Sequence, residues 1–86
     1  MGGKFLPIAF VLIKTKAGLE EKALKKILEI EGVKEAYIVL GTYDIVAKLS
    51  VENLENLQEI VSQKIRRSIE EIEETMTMLV IQGASK

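Results

Sequence analysis

The sequence has no cysteine, no histidine and no tryptophan, one proline, and a single aspartate beside twelve glutamates. Without cysteine there can be no disulfide, thiolate metal site or cysteine nucleophile, and the absence fits a reducing, cytoplasmic setting. Without histidine the commonest general base and transition-metal ligand are gone, so neither a metal nor a cofactor is expected. Aromatic residues make up 5% of the chain, which leaves little for stacking bases on a sheet, and Phe10 is expected in the core. The twelve basic residues are interspersed with thirteen acids at a net charge of -1. That mixture offers no block of positive charge to a phosphate backbone, and Arg66-Arg67 is expected to be a solvated helix face. Direct contact with nucleic acid is therefore not expected. The apolar run that opens the chain stops at Lys14, too short for a bilayer and without a small-residue cleavage site, so no membrane partner is expected either.

What is present is a globular balance: 48% hydrophobic and 29% charged residues in 86 positions, enough for one domain with a single core. We place that domain at residues 8–82, after a lead-in at 1–7 and before a polar tail at 83–86. "IAFVLIKT" (8–15) is a continuous apolar, β-branched run and predicts a strand buried on both faces. "LEEKALKKILEIEG" puts Leu19, Ala23, Leu24, Ile27 and Leu28 on one helical stripe, with Gly32 as terminator. "VKEAYIVL" (33–40) and "DIVAKLSV" (44–51) predict two strands joined by a tight "GTY" turn. Asn53 can cap a second helix carrying Leu54, Leu57, Ile60, Val61 and Ile65. The acidic "EEIEE" (70–74) reads as a solvated joint, and "TMTMLVIQ" (75–82) as a last strand.

The order β-α-β-β-α-β is the ferredoxin-like, split-βαβ pattern of the α+β class, with an antiparallel sheet in spatial order 4-1-3-2 and both helices on one face. The uncovered face has a consequence. The first strand is apolar in both phases, Ile8, Phe10 and Leu12 against Ala9, Val11 and Ile13, and the last strand nearly so. Burying one such side chain is worth roughly 1.5–3 kcal/mol, so a homodimer packed sheet to sheet, and a larger homo-oligomer, are expected.

The same topology brings Asp44 and Thr75, the starting ends of the third and fourth strands, to the edge where the first strand finishes near Lys14. Gly41 can take the positive φ of a tight turn and expose backbone N–H groups, and Asp44 can present a carboxylate or else cap the hairpin. Thr75 and Thr77 alternate toward one face of the last strand. One anion, two hydroxyls and turn N–H donors together could hold a zwitterion, and an amino acid would suit them.

The hairpin "VLGTYDIVAKLSV" and the closing "ETMTMLVI" resemble the effector domain of the Lrp/AsnC (leucine-responsive, feast/famine) transcription regulators, often called the RAM domain, over about residues 8–81. The resemblance implies dimers formed through the sheets, commonly tetramers of dimers, and amino acids bound at contacts between dimers. It maps Gly41, Tyr43 and Asp44 onto the family's hairpin motif, and Thr75 and Thr77 onto its last-strand hydroxyl positions, as ligand-binding residues. Only a few residues precede the first strand, where full-length members carry a helix-turn-helix. The expectation is thus a stand-alone, non-enzymatic effector domain that acts in transcriptional regulation of amino-acid metabolism, assembling with itself or with full-length relatives. The alternatives are a small dimeric ferredoxin-like enzyme and a purely structural assembly module.

Overall fold

Residues 7–86 are described by a computed structural model; the expected lead-in, Pro7 apart, lies outside the described residues. Strand β1 runs Ile8–Thr15, helix α1 Glu20–Leu28, strands β2 and β3 Val33–Ile38 and Ile45–Ser50, helix α2 Leu54–Glu59, and strand β4 Ile72–Leu79. The four strands form one antiparallel sheet in the order β2-β3-β1-β4, the arrangement expected from the sequence. It arises because β1 is the most apolar strand and takes the central position, hydrogen-bonded on both sides.

Alternation along β1 divides the sheet. Ala9, Val11 and Ile13 are 0% exposed and join Ile45, Ala47 and Leu49 of β3 beneath the helices. From above, Ala23 and Ile27 of α1 and Leu57, Ile60, Val61 and Ile65 of the second helical segment close the core. Asn53 caps that segment as expected: its side chain accepts a hydrogen bond from the Asn56 N–H at 2.7 Å. Gly32 (φ +102°) turns the chain into β2, and a Cβ there would meet Ile60 Cδ1 at 3.2 Å, so the site needs glycine for both conformation and space.

Several expectations need correction. The second helix is α-helical only to Glu59; across Ile60–Arg66 it widens to i→i+5 bonding, continued by Arg67 N–H donating to Ser62 O at 3.2 Å. The last strand begins at Ile72, not at 75, and ends at Leu79. The supposed solvated joint is therefore partly strand, because Ile72 packs on the core and pairs with Thr15. Glu71 is 6% exposed, not a free charge, and its carboxylate accepts two hydrogen bonds from Lys26 Nζ at 2.9 and 3.0 Å. The Lys26 ammonium holds the Glu71 carboxyl below the usual carboxylate range through these hydrogen bonds. The strands of the hairpin stop at Ile38 and start at Ile45, so its connection is longer than "GTY". Phe10 points away from the core: it pairs with Lys48 and Met78 on the helix-free face and is half-buried.

Candidate functional site

The sole aspartate is a hub. Its N–H donates to Ile13 O at 2.9 Å and its carbonyl accepts from Val39 N–H at 2.8 Å, which closes the hairpin onto the end of β1. Its carboxylate Oδ2 accepts from the Thr15 N–H at 2.9 Å and from Thr15 Oγ1 at 3.3 Å. The Thr15 N–H needs such a partner because the β1–β4 register shifts between Lys14 and Thr15, which interrupts the regular ladder there. Asp44 thus caps the central strand rather than its own turn. The other carboxylate oxygen, Oδ1, has no hydrogen-bond partner among the described residues.

The expected site residues are placed as follows. Gly41 is exposed, with open space around its Cα, and does not take the left-handed conformation expected of it; among the described residues only Gly18 and Gly32 do. The longer connection lets residues 39–44 turn without it. Tyr43 is half-buried, and its hydroxyl lies 3.5 Å from Glu74 Oε2. Lys14 Nζ donates to Thr42 O at 3.3 Å, so the hairpin loop is tied to β1 and approaches β4. Thr75 pairs with Ile13 and Thr77 with Val11, which puts both threonines on the helix-covered side. Asp44 and Thr75 flank Ile13 from opposite sides, two strand spacings or about 10 Å apart. The structure therefore gathers Tyr43, Asp44 and Thr75 around the end of β1, while Thr77 stands one step further along, in a groove between β4 and the second helix.

That groove encloses about 400 Å³; Leu57, Val61 and Leu79 give it apolar walls, and Thr77, Ser62 and Arg66 polar ones. Thr15, Lys14, Glu74 and the groove face of Arg66 were not among the expected site residues. Thr15 could have been found from the topology, which brings the end of the first strand to Asp44. The others carry no local signal.

The helix-free face of the sheet is a second exposed surface. Phe10 and Leu12 of β1 adjoin Met78 and Met76 of β4, which are 42% and 47% exposed. Val46 and Tyr37 continue the face across β3 and β2. At its β2 side the Tyr37 hydroxyl donates to Glu35 Oε1 at 2.6 Å, and Lys48 Nζ sits 3.6 Å from Glu35 Oε2. The hydrogen bond from Tyr37, then the Lys48 charge, lower the Glu35 pKa, and the same bond raises that of Tyr37. An apolar strip with a polar border is thus laid out on one side of the sheet.

The structure is thus an antiparallel sheet covered by helices on one side only, with a hairpin carboxylate clasped to the end of β1. The model of the Lrp/AsnC ligand binding domain matches residues 8–85, and the chain belongs to that family. The HTH-type transcriptional regulator FL11 of Pyrococcus furiosus is 36% identical over 74 residues, which cover 86% of this chain and 48% of that protein. The chain thus spans about half the length of the curated relatives it matches. Among solved structures, TTHA0845 from Thermus thermophilus superposes with a TM-score of 0.86 at 33% identity, over 94% of this chain and 100% of that one. Escherichia coli AsnC gives a TM-score of 0.86 at 30% identity, over 95% of this chain and 55% of that one. The family and fold expected from the hairpin and the closing strand are the ones found. The relatives are transcription regulators, and among the described residues no helix is long and apolar enough to cross a membrane.

Proposed function

We propose that this chain is an amino-acid-binding effector domain of the cytoplasm that acts in transcriptional regulation of amino-acid metabolism. Residues 8–82 form the binding domain and 83–86 a polar tail. Two copies pack through the helix-free faces, and such dimers associate further, with tetramers of dimers the expected form, or with full-length regulators of the same family. The observation that carries the proposal is the half-satisfied carboxylate of Asp44: Oδ2 is fixed by Thr15, and Oδ1 is left at the hairpin end for a ligand ammonium. Gly41 and Tyr43 supply the loop around it, and Thr75 and Thr77 supply hydroxyls. A pocket completed by a neighbouring dimer would couple ligand binding to assembly, because a ligand shifts an equilibrium only by its preference for one state.

Calorimetric titration with the twenty amino acids, run beside sedimentation, tests this. At least one is expected to bind and to shift the distribution of assemblies; silence from all twenty with folded protein would refute the proposal. Asp44→Ala is expected to abolish that binding and leave the dimer intact. Asp44→Glu, with the same charge one methylene further out, is expected to weaken it.

A purely structural role for Asp44 is favoured by one observation, its clasp on Thr15. On that alternative Asp44→Ala loosens the end of β1, and no amino acid changes the assembly of the unsubstituted protein.

A further inference from the structure

The groove between β4 and the second helix shares Thr77 with the proposed amino-acid site, but the rest of its lining comes from the second helical segment and Leu79. Asp44 belongs to the β3 end of the hairpin, and β1 stands between β3 and β4; its carboxylate is not part of the groove lining. The groove has its own polar end. Arg66 carries no ion pair among the described residues, although twelve glutamates are available in the chain. Its neighbour Arg67, by contrast, donates to Gln63 at 3.2 Å.

The wide helical turn explains why Arg66 lines the groove at all. Val61 is a core residue, and in a helix of 3.6 residues per turn the residue five places on points about 140° away, here toward solvent. The i→i+5 winding across Ile60–Arg66 brings the fifth residue back toward the same face. Arg66 is thereby brought toward the side of Val61, so the groove acquires a cation beside its apolar walls. Short wide turns of this kind recur at functional sites, and a volume of about 400 Å³ falls within the range of small-ligand pockets.

We propose that this groove binds a small aliphatic carboxylate, with the acid group on the Arg66 guanidinium and the hydrocarbon between Leu57, Val61 and Leu79. Guanidinium is the side chain best shaped for a carboxylate, and no carboxylate lines the groove to pair with an ammonium. The groove would thus select aliphatic acids over amino acids, a preference opposite to that of the Asp44 end.

The test is titration of the whole chain with 4-methylpentanoate, octanoate and the uncharged 4-methylpentan-1-ol, followed by calorimetry and by NMR shifts of the Leu79 and Val61 methyl groups. Saturable binding of an acid is expected, weaker by about tenfold or more for the alcohol and for the acid on Arg66→Gln, the worth of one charge-assisted contact. Val61→Phe, which fills the trough, is expected to weaken binding of the acid too, while Asp44→Ala leaves it unchanged. Absence of saturable binding by either acid, equal binding of acid and alcohol, or an unaltered Arg66→Gln would overturn the proposal. Loss of acid binding in Asp44→Ala would also overturn it, by showing one site instead of two. Absence of acid binding leaves the amino-acid titration of the Asp44 site to stand on its own.

Discussion

Ala9, Val11 and Ile13 are sealed under the helices, whereas Ile8, Phe10 and Leu12, one step out of phase on the same strand, are half-buried in the single chain. The two sets are similarly apolar and differ only in which way the pleat turns them. The folded chain needs the first set; it does not need the second. An apolar phase that the fold leaves uncovered is therefore a signal about association, and its partner strand β4, with Met76 and Met78, carries the same signal.

The sharpest way to separate the two faces is to cut into each. Ile13→Ala empties a position that is 0% exposed and is expected to cost about 2–5 kcal/mol in denaturant unfolding; a loss below about 1 kcal/mol would blur the distinction. Leu12→Glu, one residue away, is expected to leave the chain folded by circular dichroism. It should weaken the proposed dimer about 100-fold or more by sedimentation, since a buried uncompensated charge costs several kcal/mol. An unaffected dimer would place the interface elsewhere. The helix layer over the buried face can be loosened without touching the sheet: Asn53→Ala removes the cap on Asn56 N–H and is expected to cost about 1 kcal/mol in thermal unfolding.

The smallest effect concerns the ion pair that ties α1 to the start of β4. Glu71 has a folded pKa below its ordinary value because Lys26 hydrogen-bonds its carboxylate. Its stabilisation is therefore fully present above the unfolded glutamate pKa and is lost as pH falls through the lowered folded value. Glu71→Gln is expected to flatten that part of the acid limb of stability against pH; an unchanged acid limb would show that the pair contributes nothing there.

Element order, strand order and the capped second helix were legible in the sequence, because alternation and the Asn53 signal are local properties of a few residues. The start of β4 was hidden because Glu70, Glu71, Glu73 and Glu74 surround Ile72, and four charges outweigh one apolar residue in any local reading. The wide turn at 60–66 was invisible for another reason. The apolar positions Leu57, Ile60, Val61 and Ile65 fit a normal helix as well, and only the backbone bonding reveals the change. At the candidate site, the topology brought Asp44 to the end of β1, but its clasp on Thr15 spans 29 positions and leaves no local pattern. Gly41 suggested a tight turn because glycine usually marks one; the longer connection removed the need.

The hydrogen bond from Thr15 N–H to Asp44 makes one amide a natural gauge of the hairpin end. That amide lies at the irregular point of the central strand, and its acceptor is the carboxylate expected to meet the ligand. Its rate of exchange with solvent deuterium should change when an ammonium shares Asp44, while the amides deeper in β1, held by the sheet on both sides, keep theirs. Occupancy of the hairpin could then be followed at a single backbone position, with no label attached and no residue altered.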